Sequence, residues 1–218
     1  RRRFASYRPI VMHNEALDGL LLGDGSLWLP PIVGVRRTSN AYYRQSSVSK
    51  DWLEGLVPTL GRMGLRSSVR FVRSHRCKDG RESAIWWLQS QAHYSMTEAA
   101  RRWYPSRKKV IPTDLTLSRE CLLQWFLGDG TMVPSNKKRR VAVLCSEGFA
   151  KGSVEALVPA IRGLIGCDGV STYNHRAGYN VRFTYDATDA LLAFLGPAPF
   201  KSLAYKWDTR LVRGEATS

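Results

Sequence analysis

Two short runs in this chain have the residue types and the spacing to do chemistry together. Leu20-Leu21-Leu22-Gly23-Asp24-Gly25 and Trp125-Phe126-Leu127-Gly128-Asp129-Gly130 each carry an apolar, helix-like stretch into Gly-Asp-Gly. The two aspartates stand 105 positions apart in a chain of 218 residues, the spacing of a duplicated module. An aspartate just past a helix C-terminus faces the negative end of the dipole, at a cost of up to about 1 kcal/mol. Two such ends side by side add like-charge repulsion. A divalent cation shared by both carboxylates offsets both costs, and paired carboxylates are what metal-assisted phosphate chemistry requires. Mg2+ suits this role, since it takes one or two carboxylates together with waters and phosphate oxygens. Gly25 and Gly130 are expected to adopt the left-handed conformation that ends many helices. Gly23 and Gly128, with Gly19 one turn earlier, would let two helix backbones approach closely.

The elements that must position these acids repeat in order. In the first half, Asn14 can cap a helix through Leu17, Leu20, Leu21 and Leu22. Polar, β-prone stretches follow at 26–37 and 40–47, the first interrupted by Pro30-Pro31, which suggests an edge or a bend. An amphipathic helix starts at Lys50 and ends near Gly61 or Gly64. Stretches 67–75 and 83–91 form a hairpin around Lys78-Asp79-Gly80-Arg81, and a helix over 96–104 closes the half. A proline-bracketed, charged segment, Pro105 to Pro112, reads as a linker. Ser118 then caps a helix over 119–127, with Glu120 in its first turn where an acid suits the dipole. Strands at 131–135 and 139–146, a helix over 151–165, a hairpin of 170–176 and 179–185 turning at Ala177-Gly178, and a helix over 188–195 complete the second half. A tail, Phe200 to Trp207, follows. The expected architecture is α+β: two pseudo-symmetric αββαββα halves, 1–104 and 118–218, joined by a linker at 105–117, each with a four-stranded antiparallel sheet.

The net charge is +15 and the pI near 10.1. Charge of that size bears on partners more than on fold, and nucleic acid is the commonest polyanionic partner. No long apolar span and no basic amphipathic helix favours a membrane instead. The 44% hydrophobic content belongs to a folded chain. The chain opens Arg1-Arg2-Arg3 without a methionine, as a fragment would, and no apolar region of a signal peptide follows. Cys77, Cys121, Cys145 and Cys167 are widely spaced, which points to free thiols and a reducing compartment. The four histidines form no zinc pattern, and His13-Asn14 and Asn174-His175 lack the surroundings of a His-Asn-His nuclease.

The paired motifs and their surroundings resemble the LAGLIDADG homing endonucleases, specifically the single-chain form with two motifs. Gln45-Ser46-Ser47-Val48-Ser49-Lys50-Asp51-Trp52-Leu53 is similar to that family's glutamine-led strand end running into its second helix. Arg102-Trp103-Tyr104-Pro105 through Pro112 resembles its inter-domain segment. Leu144-Cys145-Ser146-Glu147-Gly148-Phe149 stands where the family often has Leu-Cys-Thr-Gln-Ser-Phe, and Ser202-Leu203-Ala204-Tyr205-Lys206 resembles its Ser-x-x-Tyr-Lys tail. The resemblance implies motif helices packed at a pseudo-twofold axis, and sheets forming a saddle in the DNA major groove. It implies two or three divalent ions at the join, Mg2+ for cleavage, with Mn2+ or Ca2+ able to substitute in binding. Asp24 and Asp129, with the backbone of Gly23 and Gly128, would hold the metal. Gln45, matched by Glu147, would position water, and Lys109 (or Lys108) and Lys206 would stand near the scissile phosphates. It further implies an intron-encoded monomer, from an organelle or a prokaryotic cytoplasm, that cuts both strands of a long asymmetric double-stranded target and leaves short 3′ overhangs. The chain departs from the family's pattern in three places. Gln124 stands where the first motif has Gly19, leucines (Leu22, Leu127) fill the usual upstream acidic position, and Glu147 replaces a common glutamine.

The residues themselves support DNA binding. Arg70 alternates with Val69 and Phe71, Gln89 and Gln91 with Leu88 and Ser90, and Arg182 and Thr184 flank Phe183. One face of each hairpin would pack on helices while the other reads base edges in the major groove. The run Lys137-Lys138-Arg139-Arg140, with Lys138 and Arg140 foremost, suits phosphate contact, which positions more than it specifies. A second class stays open at this point: a non-catalytic nucleic-acid binder on the same scaffold, such as an intron RNA maturase or a DNA-binding regulator.

Overall fold

The computed structural model describes residues 14–29, 40–76, 80, 82–135, 139–175 and 178–211. Lys137 and Lys138, the Pro30-Pro31 bend, His13, Cys77 and most of the 78–81 turn lie outside them. The order is α1 (Glu15–Leu22), β1 (Ser26–Trp28), β2 (Tyr42–Ser47), α2 (Lys50–Arg62), β3 (Ser67–Arg76), β4 (Glu82–Ser90) and α3 (Tyr94–Trp103) in the first half. The second half runs α4 (Arg119–Asp129), β5 (Gly130–Ser135), β6 (Arg139–Leu144), α5 (Lys151–Ile165), β7 (Val170–His175), β8 (Gly178–Phe183) and α6 (Tyr185–Leu195). A 3₁₀ helix, Lys201–Trp207, follows. Each half builds one antiparallel four-stranded sheet, ordered β1-β2-β4-β3 and β5-β6-β8-β7. The expected α+β class with two αββαββα units is the observed architecture.

Local chemistry explains the elements. Asn14 Oδ1 accepts from the Leu17 amide at 3.1 Å and starts α1; Ser118 Oγ accepts from the Cys121 amide at 3.2 Å and starts α4. In α2 the buried Trp52, Leu53, Leu56 and Leu60 repeat at helical spacing, each worth roughly 1.5–3 kcal/mol on burial. The motif helices are apolar nearly all round. From Ala16 to Leu22 and from Cys121 to Leu127 every residue is buried, because α1 and α4 are packed between the sheets and against one another.

The strands alternate as a half-covered sheet must. In the first sheet Tyr43, Leu88 and Val69 pack into the core, so Arg44, Trp87, Gln89 and Arg70 share the opposite, open face. In the second, Met132, Ala142, Leu144, Val181 and Phe183 pack inward, and Arg182, Ser171 and Tyr173 lie on the open face.

Three sequence expectations change. The helix expected over 188–195 begins at Tyr185, and Thr184 is its N-cap, its hydroxyl accepting from the Ala187 amide at 3.3 Å. Thr184 is therefore a helix cap and not a reader on the sheet: β8 ends at Phe183, since a cap hydroxyl satisfies an orphan helix amide that a strand position would leave unpaired. Arg140 shares the inward parity of Ala142 and Leu144. It donates to the Met132 carbonyl at 3.0 Å and lies near Asp208 and Tyr205, away from the open face. The 119–127 helix runs on through Gly128 to Asp129.

Candidate functional site

The site lies where the C-terminal ends of α1 and α4 meet. α1 ends at Leu22 with Gly23 as its cap, so Asp24 follows the helix, whereas α4 includes Asp129 as its last residue. Gly23 and Gly128 touch across the join: a Cβ built on Gly128 would stand 3.4 Å from the Asp24 amide, and one on Gly23 3.5 Å from the Asp129 amide. These are ordinary contacts. The tight approach falls one turn earlier, where a Cβ on Gly19 would stand 2.8 Å from the Cα of Cys121 and closer still to its carbonyl oxygen. Gln124, the counterpart of Gly19, is buried and folds its amide back onto Glu120 at 2.9 Å, so the larger residue fits without opening the interface.

The glycines after the acids serve close approach and not the left-handed region. Gly130 has φ −72 and ψ 143, extended backbone, and Gly25 is not among the positive-φ glycines. A Cβ at Gly25 would sit 2.8 Å from the Tyr43 hydroxyl, and one at Gly130 2.8 Å from the Phe126 Cα.

The carboxyl groups of Asp24 and Asp129 hydrogen-bond one another. Burial, followed by the neighbouring Asp24 charge, pushes Asp129 up to about 7, so Asp129 keeps its proton to near neutral pH. Two lysines stand behind the pair. Lys109 donates from Nζ to the carbonyls of Gly23 at 2.8 Å and Gly25 at 2.9 Å. Lys206 donates to Phe126 at 3.1 Å, Leu127 at 2.7 Å and Gly128 at 3.0 Å. Each half's motif helix thus ends against an ammonium, bound to carbonyls at or just past the helix end. Burial lowers both lysines to about 8, opposed by the attraction of Asp129 and Asp24. Of Lys108 and Lys109, it is Lys109 that reaches the join, while Lys108 is exposed.

Gln45 is buried beside Tyr43. Its Oε1 accepts from the Tyr43 hydroxyl, and its Nε2 has no protein partner. Tyr43 feels the Asp24 charge, and burial raises its hydroxyl well above the usual phenol range. Glu147 does not match Gln45 in register. Gln45 pairs with Leu88 and Leu144 pairs with Val181 at the corresponding ladder positions, so Leu144 takes Gln45's place and Glu147 lies three residues on, beyond β6. Glu147 nonetheless lines a cleft of about 280 Å³ with Leu22, Lys109, Asp129, Cys145 and Phe149. Its Oε1 contacts His175 Nδ1 at 2.7 Å and accepts from Asn180 Nδ2 at 2.9 Å. Burial beside carboxylates pushes the Cys145 thiol up to about 11, so this sulfur stays a protonated thiol at neutral pH.

Three participants escaped the sequence reading. Tyr43 carries no signal beyond its place two residues before Gln45. Asp18 looks like a surface residue of α1 but is buried, accepting from Arg102 at 2.6 Å and Trp103 Nε1 at 2.9 Å; Arg102 also holds Asp114 at 2.8 Å and so ties the linker to α1. Arg44 stands on the open face of β2 beside the expected readers Arg70 and Gln89. Gln91, just past β4, is exposed; its amide donates to the Arg66 carbonyl at 2.7 Å and its carbonyl accepts from Ser90 Oγ at 2.9 Å. Arg182 donates to Ser135 Oγ at 3.3 Å.

The donor set fits a hard divalent ion: two carboxylates forced together, with backbone oxygens nearby and the one adjacent thiol kept protonated. The Gly23 and Gly128 carbonyls already accept from lysines, which leaves the carboxylates as the principal ligands. The paired lysines offset part of the charge before any metal binds. We expect Lys206→Met to take an ammonium donor from three carbonyls at the end of α4 and to lower stability by about 1–3 kcal/mol in urea unfolding, with Lys206→Arg in between.

The sequence profile of the LAGLIDADG DNA endonuclease family matches residues 14–191. The "Uncharacterized protein MJ1098" of Methanocaldococcus jannaschii is 26% identical over 181 residues, covering 83% of this chain and 67% of that one. Among solved structures, the homing endonuclease I-WcaI bound to its DNA recognition sequence superposes with a TM-score of 0.73 at 19% identity, over 92% of this chain and 88% of that one. The meganuclease I-SmaMI bound to uncleaveable DNA gives a TM-score of 0.54 at 9% identity, over 93% and 87%. The N-terminal LAGLIDADG domain of DUF199/WhiA gives 0.52 at 10% identity, over 86% and 82%. At these identities the structural matches establish the fold, two sheets flanking a pair of motif helices. The profile spans well over half of the sequence, and the chain therefore belongs to the LAGLIDADG DNA endonuclease family.

Proposed function

We propose that this protein is a site-specific, Mg2+-dependent DNA endonuclease that cuts both strands of a long, asymmetric double-stranded target as a single chain. The observation that carries this reading is the meeting of Asp24 and Asp129 at the join of two non-identical halves, with a buried lysine behind each. DNA-bound I-WcaI and I-SmaMI share the fold and support duplex DNA as the partner. Among the described residues, no helix is long and apolar enough to cross a membrane.

The chain's own residues divide the work. Asp24 and Asp129 would hold the divalent ions, whose chemistry would be to activate water and to neutralise charge on the phosphate. Gln45, buried with its Nε2 unpaired and its Oε1 held by Tyr43, would orient a water or a phosphate oxygen on one strand. Glu147, anchored by His175 and Asn180, faces the other from the Asp129 side. Lys109 and Lys206 hold positive charge beside the reacting phosphates. The open sheet faces, with Arg70, Gln89, Gln91 and Arg182, lie in the major groove.

Because the two sides differ, the strands are expected to be cut at unequal rates, seen as nicked intermediates that accumulate on one strand. Incubating the protein with a randomised duplex pool and Mg2+, then sequencing the cut ends, tests the function; recurrent double-strand cuts at one site support it. Intron splicing without any cut would favour an RNA maturase instead. If about 8 phosphates are contacted, the log–log slope of affinity against salt is expected near −7. A slope near zero in fluorescence-anisotropy titrations would contradict groove binding.

A further inference from the structure

Among the described residues, the open face of the first sheet carries a built guanidinium array that has no counterpart in the second. Arg44 Cζ lies 3.5 Å from the centroid of the Trp87 ring, and Arg70 Cζ lies 5.4 Å from the same ring. Both are neighbours of Trp87 and Gln89 in the ladder: Arg44 pairs with Gln89, Arg70 pairs with Trp87, and Arg70 Nη2 reaches Gln89 Oε1 at 3.5 Å. Among the described residues no carboxylate pairs with Arg44 or Arg70. Their charge is left for a partner, while indole stacking holds their orientation.

At the same ladder positions the second sheet has Val143 for Arg44, Asn180 for Trp87, Tyr173 for Arg70 and Arg182 for Gln89. Val143 and Asn180 are almost fully buried, and Asn180 is committed to Ser146 and Glu147. One guanidinium remains there, Arg182, with Tyr173 at 5.9 Å.

We propose that Arg44 is a specificity-determining residue that reads a guanine in the half-site under the first sheet, that Trp87 is its positioning residue, and that Arg70 and Gln89 flank it. This rests on the endonuclease reading above. The chemistry is directional. A guanidinium presents a rigid fork of donors that matches guanine O6 and N7 in the major groove, whereas the other bases offer no such acceptor pair. Stacking on an indole face fixes the plane of the fork before DNA arrives, so less side-chain freedom is lost on binding. A phosphate would accept the same donors, but it would be contacted equally in every sequence.

The test is selection of bound duplexes from a randomised pool in Ca2+, with full-length wild type, Arg44→Ala, Arg44→Lys, Trp87→Leu and Arg182→Ala. Wild type is expected to recover one site with a fixed guanine in one half. Arg44→Ala should recover the same site with that single position relaxed, its discrimination falling by about tenfold to a hundredfold. Arg44→Lys and Trp87→Leu should relax the same position less, while Arg182→Ala relaxes a position in the opposite half. The positions still read serve as the control that each variant is folded. If Arg44→Ala weakens all sequences equally, or the relaxed base is not guanine, the proposal is overturned and the endonuclease reading stands. If wild type enriches no duplex at all, both fail.

Discussion

Asp24→Asn and Asp129→Asn are each expected to lower double-strand cleavage at least a thousandfold, about 4 kcal/mol in barrier, while most of the affinity for duplex DNA survives. The two carboxylates hydrogen-bond across the join of α1 and α4, and neither half has a second acid at its own helix end. Losing either charge would remove one of the two carboxylates proposed to hold the cation, and the amide that replaces it is a weak ligand. The open sheet faces that would grip DNA are untouched, so affinity and cleavage separate. Asp129→Asn acts on stability in the opposite direction. The folded protein holds Asp129 at about 7, above the ordinary carboxylate value, so it binds a proton that the unfolded chain has already released. Folding stability from this group is therefore present below about pH 4 and is lost as pH rises toward 7. Without metal, Asp129→Asn should flatten that decline and raise Tm at pH 8, measured by calorimetry with a chelator present. A variant that is inactive because it is misfolded would show the reverse.

Gly19→Ala is expected to destabilise the protein by about 3 kcal/mol or more. The added Cβ meets the backbone of Cys121, which has no flexible end to swing aside. Overpacking of a tight interior ordinarily costs about 1–3 kcal/mol, and here only separation of the two helices relieves it. That separation moves the ends carrying Asp24 and Asp129 apart, so cleavage should fall along with stability. Gly23→Ala is the contrast: its Cβ would make ordinary contacts of 3.5 Å and longer, so a smaller loss is expected. Urea unfolding of the two variants, with cleavage of a selected site, separates the steric account from a general intolerance of substitution in the motif. Equal stability of Gly19→Ala and wild type would show that α1 and α4 do not pack as closely as described.

Much of this arrangement is legible in the residues, and the reasons are local. Asn14 and Ser118 start the motif helices because their side chains satisfy first-turn amides, and both helices read as apolar all round because they are buried all round. Alternation along β4 marks Leu88 as inward and Gln89 as outward. What stays hidden depends on partners distant in sequence. Nothing near Lys206 announces that its ammonium ends against carbonyls 78 to 80 residues earlier. Asp18 reads as solvated until Arg102 and Trp103 fold over it. Arg140 reads as part of a basic run, yet its strand parity turns it inward. Thr184 continues the alternation of β8, but capping competes with pairing and wins. The match of Gln45 with Glu147 follows the neighbouring residues, whereas the ladder sets equivalence by hydrogen bonds and places Leu144 opposite Gly130.

The central claim is that Asp24 and Asp129 form one cation site, which neither half holds alone. Titration of Mn2+ followed by electron paramagnetic resonance, on wild type and on the Asp24→Asn and Asp129→Asn variants bound to selected DNA, tests it most directly. Wild type is expected to deplete the free-ion signal, and each single variant to lose most of that binding. Wild-type binding retained by both variants would contradict it.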